Sequence, residues 1–79
     1  MNKLYFLKEN KYIRLKIDRP TMPFRASISI NKYYEINFMT FHPYDYKDEK
    51  EALEKAKNWL EIELKKFQEG LNEKEYSVA

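Results

Sequence analysis

The chain of 79 residues contains no cysteine, one glycine and one histidine. Without cysteine there is no disulfide staple, no thiolate metal site and no thiol nucleophile. A single glycine, Gly70, excludes a glycine-rich loop of the kind that cradles phosphates. His42 stands alone, so a histidine metal cluster is excluded as well. Long apolar runs are also missing. The longest stretch free of Asp, Glu, Lys and Arg runs from Ile36 to Tyr44, whereas a membrane helix needs about 20 residues. The apolar opening at Leu4-Tyr5-Phe6-Leu7 is cut off by Lys8 and Glu9, too short for the core of a signal sequence. Absent cysteines fit a reducing compartment, and the expected location is cytoplasmic. A chain of this length supports one domain, because it buries only about 60% of the surface it exposes when unfolded.

What the chain does have is charge, unevenly placed. Lys and Arg number 15 against 13 Asp and Glu, a net charge of +2. Residues 1–44 hold eight Lys/Arg and three Asp/Glu, or +5, and residues 45–79 hold seven and ten, or −3. Such a split between halves can mark a face built for an acidic partner.

The first half alternates in the manner of strands. Ile13, Leu15 and Ile17 share one side while Tyr12, Arg14 and Lys16 share the other, the period of two of a half-buried strand. Asp18-Arg19-Pro20-Thr21-Met22-Pro23 interrupts it, since prolines cannot serve an inner ladder. Phe24, Ala26, Ile28 and Ile30 then oppose Arg25, Ser27 and Ser29. A tight turn at Asn31-Lys32 leads to a third strand over Tyr33–Phe41, with Tyr34, Ile36 and Phe38 expected on the core side. Leu4 to Lys8 supplies a fourth strand, hairpinned through Glu9-Asn10.

The second half has helical spacing. Asp48 with Glu51 three residues later makes an N-cap signature. Ala52, Leu53, Ala56, Trp59, Leu60, Leu64 and Phe67 recur at steps of three and four, and Gly70 is the expected stop. The predicted fold is therefore α+β: a three-stranded antiparallel sheet, four-stranded with Leu4–Lys8, packed against one long C-terminal helix. Residues 1–70 form the single domain and residues 71–79 a polar tail.

Catalytic equipment is thin, so a binding protein rather than an enzyme is expected, with no cofactor and no metal. The acidic group Asp45, Asp48, Glu49 and Glu51 lacks the loop glycine and ligand spacing of a calcium hand. Its carboxylates suit the start of a helix. The sheet side facing away from the helix is the first candidate surface. It would display Tyr12, Arg14, Lys16, Arg25, Ser27, Ser29, Tyr33, Asn37 and Met39, with Glu35 as its one acid and Lys32 at the hairpin tip. Lys and Arg contact phosphates, Arg reads guanine, and tyrosine rings offer flat surface to sugars and bases.

The string Phe24-Arg25-Ala26-Ser27-Ile28, the hairpin at Asn31-Lys32 and the helix opening Glu51-Ala52 with Ala56 carry a resemblance. They look like the ethylene-response-factor (Apetala-like) DNA-binding domain, also found in phage homing endonucleases. They resemble, too, the arm-binding N-terminal domain of tyrosine integrases. Both families read DNA with a three-stranded sheet. The resemblance spans about residues 11–67 and implies that Arg14, Lys16, Arg25 and Ser27 face double-stranded DNA.

A protein partner is the rival expectation. In composition the chain resembles small accessory proteins of phages and mobile elements, including anti-CRISPR inhibitors of host nucleases, which implies a host defence protein as target. The aromatic loop Phe41-His42-Pro43-Tyr44-Asp45-Tyr46 would then supply Phe41, His42, Tyr44 and Tyr46 as anchors, because tyrosine buries much area with few rotors. Glu54, Glu61 and Glu69 could imitate phosphates toward a basic channel, and Ile62, off the apolar stripe, marks a second contact. Monomer and dimer are both compatible with this pattern.

Overall fold

A computed structural model describes residues 3–31 and 33–78, with side chains through residue 70. Four strands follow one another: β1 (Lys3–Glu9), β2 (Ile13–Arg19), β3 (Phe24–Ile30) and β4 (Tyr34–Phe41). A 3-10 turn at Pro43–Asp45 leads into helix α1 (Glu49–Val78). The strands pair antiparallel in the order β1-β2-β3-β4, so each lies beside its sequence neighbours. This is the α+β architecture that the alternation and the helical spacing imply, with the segment around Leu4–Lys8 as the fourth strand.

Local chemistry shapes the turns. Asn10 Oδ1 accepts from the backbone N–H groups of Tyr12 at 2.8 Å and Ile13 at 2.9 Å, an Asx turn that reverses the chain between β1 and β2. Asn31 adopts φ 52°, the left-handed conformation that asparagine tolerates better than other residues bearing a Cβ. Its N–H donates to the Tyr12 carbonyl at 2.7 Å, which ties the two hairpin turns together at one end of the sheet. At the other end Arg19 is the fastener. Its Nε donates to the Met22 carbonyl at 2.9 Å, its Nη1 reaches Glu49 Oε1 at 2.8 Å, and its guanidinium lies 5.0 Å over the Phe24 ring. Hydrogen bonding to Glu49, above all, raises the Arg19 pKa further above its ordinary value.

The helix packs chiefly over β3 and β4. Its buried stripe is Ala52, Ala56 and Leu60, set against Leu15 and Ile17 of β2, Phe24, Ala26 and Ile28 of β3, and Phe41 of β4. The two alanines carry nothing beyond Cβ, so the helix backbone settles close to the sheet. Tyr5 meets Phe24 edge-on at 5.0 Å, and Trp59 meets Phe41 at 6.4 Å. Burying each of Phe24, Ile17, Ile28 and Leu60 contributes about 1.5–3 kcal/mol. The cap forms as the sequence implies, with Glu51 N–H donating to Asp48 Oδ1 at 2.8 Å.

Two expectations fail. Gly70 does not end the helix, which continues to Val78. A glycine stops a helix by turning left-handed, and Gly70 has no positive φ. Inside a helix it costs only about 1 kcal/mol relative to alanine.

The second failure lies in β4. Tyr34 pairs with Ile30 on the core side as expected, but Ile36 is an extra residue: Ser29 faces Glu35 while Ile28 faces Asn37. That β-bulge reverses the alternation beyond it. Asn37, Met39 and Phe41 therefore lie on the helix side, opposite Ile28, Ala26 and Phe24, and Phe38 and Thr40 turn outward. Asn37 confirms the reversal by donating from Nδ2 to Glu63 Oε2 of the helix at 3.2 Å. Ile36 and Phe38, expected in the core, are 43% and 51% exposed, and Tyr34, although on the core side, is largely exposed too.

Candidate binding surface

Directly opposed residues of an antiparallel pair share a face, so the registers define what the uncovered side of the sheet displays. Its first row is Leu4, Asp18, Arg25 and Thr40; its second is Leu7, Lys16, Ser27 and Phe38; its third is Glu9, Arg14, Ser29 and Glu35. Three cations and three carboxylates alternate across twelve positions. Each cation is paired within the face. Arg14 Nε lies 2.6 Å from Glu9 Oε2, Arg25 Nη2 2.7 Å from Glu35 Oε2, and Lys16 Nζ 3.9 Å from Asp18 Oδ2. Partly exposed pairs of this type contribute about 0.2–1 kcal/mol each. Their larger effect is to cancel the charge of the face locally.

Arg25 is the most constrained of the three cations. Its guanidinium lies 4.4 Å from the centre of the Phe38 ring, a cation–π contact of about 0.5–1 kcal/mol at an exposed site. The hydrogen bond to Glu35 is the main cause of a pKa raised above the ordinary arginine value, partial desolvation opposes it, and Asp18 opposite adds attraction. Asp18 is almost fully buried although it lies on this side of the sheet, and its Oδ1 has no hydrogen-bond partner.

The sequence-derived candidates distribute as follows. Arg14, Lys16 and Arg25 come together on the uncovered face. Ser27 shares that face but is only 2% exposed, sunk between its cross-strand neighbours Lys16 and Phe38. Tyr12 and Tyr33 are exposed in the two turns at one end of the sheet, not on strands. Lys32 lies outside the described residues. The aromatic loop divides. Phe41 belongs to the core and Tyr46 packs against it, while His42 is half-buried beside Tyr44, ring centroids 5.0 Å apart. Only Tyr44 is freely exposed. Glu54, Glu61 and Glu69 are exposed on the helix among Lys55, Lys57, Lys65 and Lys66.

Sequence reading missed the apolar members of the face, Leu4, Leu7 and Phe38, all about half exposed. The signal for Leu4 and Leu7 was present, since accepting β1 as a strand puts Leu7 beside Lys16. Phe38 carried no such signal, because the bulge is invisible to alternation.

Concavities offer little competition to this face. A groove of about 210 Å³ lined by Lys8, Asn10, Ile13, Leu15, Leu64 and Gln68 falls below the roughly 300–1,000 Å³ of ordinary ligand sites. A larger hollow beside the helix start has only charged walls, including Lys47, Asp48, Lys50 and Glu51. Among the described residues no three His, Asp or Glu side chains gather as a metal site, and no helix is long and apolar enough to cross a membrane. Comparison with family models, curated proteins and solved structures gives no significant match.

Proposed function

We propose that this chain is a non-enzymatic binding protein that docks a protein partner through the uncovered side of its sheet. The observation that carries the reading is the pairing of every cation on that face with a carboxylate of the same face. A surface made for a phosphate backbone accumulates unpaired positive charge, since affinity there comes from neutralising phosphates and releasing counterions. Here the charge sums to zero, and half-exposed Leu4, Leu7 and Phe38 stand among the ion pairs. Apolar and aromatic anchors ringed by polar groups suit a protein interface, where Arg and aromatic side chains carry most of the binding energy. A host defence protein, the class that the composition suggests, is the partner this reading favours.

Double-stranded DNA is the second reading. Arg14, Lys16 and Arg25 lie across the two middle strands, where the resemblance to sheet-based DNA-binding domains would put them. Phosphates could in principle displace the carboxylates. Affinity capture from nuclease-treated host lysate separates the two. Under the first reading a partner protein is retained without nucleic acid and is lost when Leu7→Glu and Phe38→Glu are combined. Retention that disappears with nuclease treatment, or survives the double substitution, overturns it.

A further inference from the structure

We infer that the open edge of β4 pairs with β4 of a second copy of this chain, joining two sheets into one. The sheet has two edges, and they differ. β1 is guarded by Lys3, Lys8 and Glu9 and by a bulge between Leu4 and Phe6, devices that discourage another strand from adding on. β4 reads Tyr34-Glu35-Ile36-Asn37-Phe38-Met39-Thr40-Phe41, with neither lysine nor proline. Its one charge, Glu35, is held by Arg25. Beyond the bulge at Ile36, Asn37 to Phe41 run in unbroken register with β3; the Phe38 N–H is held locally by Asn37 Oδ1 at 2.9 Å, a contact that an added strand would replace.

Apolar side chains gather along the same edge. Tyr34, Ile36, Phe38 and Met39 are exposed on β4, and Ile62 of the helix is 54% exposed. Ile62 belongs on this flank: the next residue, Glu63, accepts from Asn37 of β4, and Trp59 one turn earlier packs on Phe41. At roughly 200 Å² of full surface per large side chain, these five leave on the order of 500 Å² open. The smallest stable interfaces take about 600 Å² from each partner, and the strand backbone supplies much of the difference.

The strand is complementary to itself, which selects a second copy as occupant. In an antiparallel pair with Phe38 on the two-fold axis, Phe38 meets Phe38, Asn37 meets Met39 and Ile36 meets Thr40. The two Glu35 carboxylates then sit at opposite ends, about 20 Å apart along the strands at roughly 3.4 Å per residue. No like charges face each other, and the aromatic pair at the centre is of the stabilising kind. Edge pairing keeps each face continuous, so both helices cover one side and both candidate binding faces merge on the other. Phe38 belongs both to this pair and to the candidate face, so the disrupting variants below lie off that face.

Sedimentation equilibrium over about 1–100 μM, a range bracketing micromolar dissociation constants, tests it. The wild-type chain is expected to show a monomer–dimer equilibrium. Met39→Lys and Ile62→Lys, each at an exposed site, should separately raise the dissociation constant by about tenfold or more, since each puts two lysines near the axis. Circular dichroism establishes that each variant is folded, and Ile62→Lys reads the same interface if Met39→Lys does not fold. Lys8→Ala on the opposite edge and Arg14→Glu on the face should leave the equilibrium unchanged. A wild-type chain monomeric at the highest concentration, or a dimer that survives Ile62→Lys, overturns the inference.

Discussion

Replacing Glu9 and Glu35 together by glutamine would release Arg14 and Arg25 from their partners at 2.6 and 2.7 Å. The face would pass from zero net charge to +2 with little change in side-chain shape. If a duplex can lie on it, two further phosphates are neutralised, and the slope of log K against log salt steepens by about 0.9 for each. Between about 50 and 200 mM salt the extra slope of about 1.8 amounts to roughly a tenfold steeper loss of affinity. Stability should fall only slightly, by about 0.2–1 kcal/mol for each exposed pair. Fluorescence anisotropy of a labelled duplex of about 20 base pairs across that salt range gives the affinity, and urea unfolding gives the stability. The double variant is expected to bind the duplex more tightly than the wild type at low salt, and with the steeper slope. Equal affinities and equal slopes in the two proteins, whether tight or weak, would refute the argument that carboxylates mask the cations.

Two predictions concern the scaffold. Leu60→Ala removes a fully buried side chain from the helix–sheet contact and should cost about 2–5 kcal/mol, read as a lower urea midpoint at unchanged m-value. Asp48→Ala deletes the acceptor for Glu51 N–H and should cost about 1 kcal/mol, with the midpoint lowered correspondingly less.

Much of the scaffold is legible in residue order because it rests on local chemistry. The alternation of Ile13, Leu15 and Ile17 and of Phe24, Ala26 and Ile28 reports burial directly, because helix covers one side of those strands and none covers the other. Asp48 and Glu51 declare the helix start through one hydrogen bond, and Asn31 declares its turn through its tolerance of positive φ. The features that escape are those set by partners distant in sequence. In β4 apolar residues occupy both phases, Tyr34-Ile36-Phe38 and Met39-Phe41, so period alone cannot choose between them. Packing chooses, by drawing Phe41 against Phe24 and Trp59 and leaving Ile36 over as the bulge. The ion pairs of the face escape similarly. Arg25 and Glu35 are ten positions apart, and their meeting depends on a register that the bulge itself shifts. Tyr12 and Tyr33 fit the alternation of the strands beside them but lie one residue outside, in the turns.

The helix presses on one side of the sheet only, and this has an evolutionary consequence. Substitutions at exposed positions away from buried features usually change stability by no more than about 0.5 kcal/mol. Leu4, Leu7, Glu9, Glu35 and Thr40 can thus be exchanged one at a time at small cost, up to about 1 kcal/mol where an ion pair is lost, while Leu15, Ile17, Phe24, Ala26 and Ile28 keep the domain folded from behind. If this face is the binding surface proposed above, selection on what it binds would be largely uncoupled from selection on whether the chain folds, and the surface could follow a changing target at the pace of single codons.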